Sequence, residues 1–283
     1  MNGTIQGNVI SWNTALDWGG GFCRCTGVVC DNIISGNVAR DGGALDQCSA
    51  VVEANVITGN SARETGGALR SCFGPIRNNT IHGNSAGATG GGLTYCDGLV
   101  RNCVIWANAP DQIFRSDQPV YSCVQDWTEG GEGNISEEPR FAEPEGPDNN
   151  PYTYLDNDYR LLPDSPCIDA GFNDAELPEF DIAGMHRIMF GGKSLTVDIG
   201  AYEFYINKLQ PVPGSNEAIF TWSSLADKSY SIFYTDDLFN WHTAIAALPS
   251  SGSQTTSWLD DGSLTGLPPL LAPRRFYRLL ENP

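Results

Sequence analysis

The stretch NVITGNSARETGGALRSC, residues 55–72, is followed 24 residues later by NTIHGNSAGATGGGLTYC, residues 79–96. Working outward from this pair, the pattern NxIxGNxA, a short turn, GG(A/G)L, two variable residues and Cys occurs four times. Asn13, Asn37, Asn60, Asn84 and Asn108 stand 24, 23, 24 and 24 residues apart, and Ile10, Ile34, Ile57, Ile81 and Ile105 keep the same steps. Glycine pairs begin at Gly19, Gly42, Gly66 and Gly90; Phe22, Leu45, Leu69 and Leu93 follow them, then Cys25, Cys48, Cys72 and Cys96. A helical repeat of this period needs an amphipathic stretch of roughly ten residues, and no copy has one. Each copy instead breaks short apolar pieces with Asn and Gly, as strands bent at fixed corners do. The chain is therefore expected to coil, with equivalent residues stacked about 4.8 Å apart. The Asn13 to Asn108 row forms an amide ladder at a corner, the Ile and Leu rows fill the interior, and the glycines make the tight turns.

The cysteine row has two readings. Thiolate metal sites use convergent CxxC pairs, whereas a small apolar side chain repeating once per coil fits a row of core thiols, the reading favoured here. In-register side chains point the same way, which strains a disulfide, so these thiols are expected to be free.

The repeats resemble those of polymorphic outer-membrane proteins and the wider group of secreted bacterial right-handed parallel β-helix proteins, the pectin-lyase-like superfold, which share GGAI or GGAL corners and Asn ladders. The resemblance covers residues 1–125 and implies an architecture rather than an activity, because adhesins, polysaccharide lyases and glycoside hydrolases all use this fold. From residue 109 the period fails, and EEPRFAEPEGPDNNPY, residues 137–152, reads as a surface excursion or cap. NISEEPRF, NDYRLLPDSPCIDAG and VDIGAYEF resemble the terminal part of secreted β-helix proteins, a structural completion, so residues 126–204 are assigned as the helix end and cap. Residues 205–283 alternate as short strands, as at Tyr230, Ile232 and Tyr234, and form a small β-sandwich. DDLFNW and RFYR there resemble the fibronectin-like modules that end secreted bacterial proteins. The fold class is thus all-β: a parallel β-helix with an irregular cap, then a sandwich.

Composition narrows the partners. Thirty-four acidic against 16 basic side chains leave a net charge of −18, which repels phosphate backbones, so no nucleic acid is expected. The only lysines are Lys193, Lys208 and Lys228. No apolar run approaches the roughly 20 residues of a membrane span. Nine cysteines are many for a reducing compartment and point to a secreted or cell-surface protein, although the opening MNGTIQGNVISWN does not read as a signal peptide. Cys123 and Cys167, outside the repeated row, either bridge across the cap or stay separate thiols.

Functional candidates come from stacked polar positions. Just before the cysteines stand Cys23, Asp46, Arg70 and Thr94; four residues after the ladder asparagines stand Asp17, Asp41 and Glu64. Stacked carboxylates repel, so the latter set needs a calcium ion or the neighbouring Arg40 and Arg63. Asp156, Asn157 and Asp158 lack the rest of a calcium loop and read as a solvated turn. Lyases of this fold pair calcium with a Lys or Arg base, for which Arg70 beside Asp46 is the candidate; a glycosidase would use Asp46 and Asp41, spaced by roughly 5–10 Å. Trp222, Trp241 and Trp258 are candidate sugar platforms, with core packing as the alternative. With so few coils, the favoured expectation is a binding or structural module that presents side-chain ladders to extracellular glycans, a cell surface or copies of itself, including head-to-tail stacking through the first coil. The runner-up is a carbohydrate-active enzyme.

Overall fold

The computed structural model describes residues 3–149, 153–154, 156–252 and 254–282. Among them there is no helix, hence none long and apolar enough to cross a membrane. The chain forms two compact units, Met1–Ile188 with Thr196–Phe204, and Met189–Leu195 with Tyr205–Pro283. The first is built on a parallel β-solenoid of about five turns.

Every coil contributes short strands to parallel stacks in register. Val9–Ser11, Ile33–Ser35, Val56–Thr58, Thr80–His82, Val104–Trp106 and Cys123–Val124 make one sheet, with Ile10, Ile34, Ile57, Ile81, Ile105 and Val124 as one row. Phe22–Cys23, Leu45–Asp46, Leu69–Arg70, Leu93–Thr94 and Ile113–Phe114 make another, with the Leu row facing inward. These rows meet Val29, Val52, Ile76 and Val100 of a third sheet in one dry core. Cys48, Cys72 and Cys96 are fully buried in that core and the partly buried Cys25 packs against it, so the cysteine row is interior and free, as the repeat implies.

The corners are held by side-chain amides. Asn60 Nδ2 donates to the carbonyls of Ile34 (2.8 Å) and Thr58 (3.1 Å) and to Asn84 Oδ1 (2.9 Å). Asn60 Oδ1 accepts from the backbone N–H (3.0 Å) and the amide (2.9 Å) of Asn37. A second ladder runs through Asn8, Asn32, Asn55 and Asn79, the first asparagines of the NxIxGN pattern, and gives way to Cys103. The glycine pairs let coils approach: a Cβ on Gly43 would lie 2.2 Å from the Gly67 carbonyl oxygen.

Trp127 closes the far end of the core, and Ile135 pairs with Cys123 there. Beyond it the chain folds onto the flank. Phe141–Glu143 and Asp158–Leu161 pair antiparallel, and Phe141, Tyr159 and Leu161 pack with Cys167, Ile168 and Ile199 against Val56 and Val104. Tyr159 bonds Thr58 (2.7 Å), and the Ala201 N–H donates to Thr80 (3.0 Å). In the Asp156 to Asp158 turn, Asp158 pairs with Arg160, and Asn157 donates to Tyr159. In the second unit, the antiparallel sheet of Asn207–Pro211, Ala218–Ser223 and Thr255–Asp260 faces that of Ser229–Thr235, His242–Pro249 and Phe276–Asn282. Phe220, Trp222, Tyr230, Ile232 and Trp258 fill the space between.

Replacing Asn60 with Ala strips partners from several buried groups, each worth roughly 1–3 kcal/mol. Urea unfolding should show a loss of at least about 3 kcal/mol, against less than about 1 kcal/mol for Ala at the exposed Asn8. Equal losses at both positions would mean that the ladder does not hold the coils.

Candidate functional site

The glycines at Gly42, Gly66 and Gly90 adopt φ of 63°, 72° and 62° and fold each turn over the strand that follows. A Cβ on Gly42 or Gly66 would lie 2.6 or 2.5 Å from the Cβ of Asp46 or Arg70. Of the polar row, Asp46 and Thr94 are thereby buried beneath the turns and Arg70 half-buried, while Cys23 stays exposed. Asp46 is 0 % exposed. Arg70 reaches it at 2.9 Å, donates to Thr65 Oγ1 at 3.0 Å and approaches Asp41 at 3.6 Å. Burial raises the Asp46 pKa and the Arg70 guanidinium works against that rise; Asp46 Oδ2 has no hydrogen-bond partner among the described residues. The structure therefore brings Arg70, Asp46 and Asp41 together, as a buried ion-pair cluster.

The carboxylates after the ladder are arranged otherwise than the spacing predicts. Asn37 is one residue nearer its glycine pair than Asn13, Asn60 or Asn84, so the coils slip register between corner and turn. Asp41 pairs across the coils with Trp18, not Asp17, and Thr65 donates to its carboxylate at 2.8 Å. Arg40 stands level with Asp17 and bonds it at 3.0 Å while reaching Asp41 at 3.2 Å; the Glu64 N–H donates to the Arg40 carbonyl. The row thus alternates Asp17, Arg40, Glu64, and a cation replaces the carboxylate that an unbroken register would stack there. For calcium held by Asp17, Asp41 and Glu64, no three His, Cys, Asp or Glu side chains among the described residues form a metal-ligand group.

Two aromatics of the first coil, which the repeat pattern alone does not single out, are exposed, and Trp18 borders this cluster. Trp18 is 39 % exposed, with the guanidiniums of Arg24 and Arg40 5.5 and 5.7 Å from its ring centroid. Trp12, 58 % exposed, lies over Gly36, whose Cβ would come within 2.9 Å of the indole, and is 5.6 Å from the ring of Tyr154. Their signal was available: Trp12 occupies the corner that later coils give to Gly36, Gly59 and Gly83. Of the sandwich tryptophans, Trp222 and Trp258 are core residues, because their strands turn them toward Tyr230 and Tyr277, whereas Trp241 is 40 % exposed.

The flank segment carries a further set of buried carboxyls. Asp198 accepts the N–H groups of Asp169 (2.7 Å) and Phe204; Asp181 accepts those of Ala183, Met185 and Glu203; Arg187 beside them donates to the Gly200 carbonyl. These bonds tie backbone turns, a structural use of acids. Burial raises Asp198 to about 7 and raises Asp181, while it lowers His82, under the flank hairpin, to about 4. Cys123 and Cys167 are free thiols, not a bridge, and the Cys123 thiol donates to the Glu137 carbonyl at 3.2 Å. No protein-family model, curated protein or solved structure matches the chain.

Arg70→Met leaves Asp46 uncompensated and should cost about 3–5 kcal/mol at pH 8. The cost should shrink as pH falls and Asp46 takes up its proton, and in the D46N/R70M double variant; a pH-independent cost would contradict the ion-pair reading. The Asp198 carboxyl binds its proton more tightly folded than unfolded, where its pKa is about 3.9, so its ionisation removes stability as pH rises toward and through 7. The urea midpoint of D198N should accordingly gain on wild type from pH 5 to pH 8, a comparison in which His82 cancels. A constant difference would place the titration elsewhere.

Proposed function

We propose that this chain is a secreted or cell-surface β-solenoid binding module whose ligand is an extracellular glycan. The observation that carries this reading is a division of labour around one cluster. The groups suited to catalysis, Asp46, Asp41 and Arg70, neutralise one another, the two carboxylates at 0 % and 4 % exposure. The groups suited to binding, Trp12 and Trp18 of the first coil, stay open to solvent. A general acid or base must reach the proton it transfers, whereas Asp46 lies beneath Gly42 and Asp41 is itself buried. An indole flanked by guanidiniums suits a sugar ring, with an apolar face to stack and N–H donors at the hydroxyls. The GGAL corners and the two asparagine ladders support kinship with secreted bacterial β-helix proteins, and the net charge of −18 favours neutral over acidic polymers.

Affinity electrophoresis of the full chain against neutral and acidic polysaccharides should show retardation by at least one neutral polymer. The W12A/W18A variant should lose at least about tenfold in affinity, in line with a stacking contribution of at least about 1.4 kcal/mol. Release of reducing ends or unsaturated products from the same polymers would replace this reading with the enzymatic one.

A further inference from the structure

The second unit carries an apolar prong and an apolar mouth at the same end of its sandwich. The prong is the turn after Ser229–Thr235. Asp237 accepts the N–H groups of Phe239 and Asn240, each at 2.8 Å, and the Asn240 amide, while Thr235 donates to it at 2.9 Å. Thr235 also accepts the N–H of Leu238, which sits at φ 68°. This clamped turn holds Phe239 87 % exposed, with Leu238 at 52 % and Trp241 at 40 %. A large aromatic held in water on a rigid turn has already lost the backbone entropy that binding would otherwise cost.

The mouth opens where the two sheets part. Leu209, Pro211, Ala218, Leu270 and Ala272 line a cavity of about 270 Å³, beside the exposed Arg274. A cavity of roughly 150 Å³ takes up benzene, so this one admits a phenyl ring. Its upper wall is the edge strand Asn207–Pro211, exposed along its whole length.

Prong and mouth are neighbours within one unit. Thr235 pairs with Phe276 at the start of the last strand, and Asp236, at the root of the prong, bonds Arg275 at 2.9 Å and 3.2 Å on the mouth's rim. A projection and a recess side by side on one surface are self-complementary about a two-fold axis, because each copy's projection then meets the other's recess. Charge agrees: Asp236 and Asp237 flank the prong, and Arg274 stands at the mouth it would enter. We propose that the second unit joins two copies of this chain as a two-fold dimer, Phe239 of each seated in the mouth of the other.

Sedimentation of the full chain over a concentration series should show a reversible dimer. F239S and L270D should each weaken it by at least about 30-fold, as expected for a central anchor and its pocket, with circular dichroism and urea midpoint unchanged. A mixture of the two variants keeps one intact contact of the two, Phe239 from the L270D chain in the mouth of the F239S chain. It should therefore dimerise at concentrations where neither variant does alone, which a merely structural effect would not produce. A wild-type chain that stays monomeric at about 100 µM overturns the proposal, as does a dimer of unchanged affinity in either variant, or a mixture no more associated than its components. F239S that loses polysaccharide binding while keeping wild-type mass would assign the prong to glycan instead.

Discussion

The solenoid depends on the asparagine amide at the corner. A coil bent several times within 24 residues leaves carbonyls at the bends whose bonding capacity the strand ladders alone do not fill. Asn60 meets three acceptors with one NH2 group and offers its own oxygen to the coil before it, so each coil is tied to two others through a single side chain. Leaving such groups buried and unpaired costs more than the bond itself returns, and this asymmetry makes the ladder a constraint on register as well as a source of stability. The second ladder, through Asn32, Asn55 and Asn79, fixes the neighbouring corner in the same way.

A stack pinned at its corners must absorb differences in coil length between them. The missing residue between Asn37 and Gly42 is taken up there, and it moves Asp41 from the row of Asp17 to that of Trp18. The slip sets Arg40 level with Asp17 and brings Asp41 toward Arg70, which also holds Asp46. The first coils therefore hide and neutralise their catalytic-type side chains while leaving two indoles in water, and the binding assignment rests on that contrast.

Much of this was legible in the residues because a repeat in register is its own structural constraint. The fixed spacing of Asn, Ile, Gly, Leu and Cys states which residues stack, and the lack of an amphipathic stretch excludes a helical repeat. The inward cysteine row follows from the same reasoning. The proximity of Asp46 and Arg70 was also readable, since each precedes its cysteine by two residues. Exposure was not readable: the Gly42 and Gly66 turns cover Asp46 and Arg70 through a backbone conformation that composition does not report. Trp222 and Trp241 looked alike as candidate platforms, and only the strand's alternation against the opposite sheet separates a core indole from an open one.

By itself, then, the sequence determined the coil, its period, its interior rows and the all-β character of both units, because each of these is a consequence of periodicity. The tertiary structure decided the rest. It set the register between rows, the burial of the Arg70 cluster, the packing of Phe141, Tyr159, Leu161 and Ile199 on the solenoid flank and the placement of prong beside mouth in the sandwich. These depend on contacts between residues far apart in the chain, whose energies are fixed by burial and geometry that no local pattern encodes.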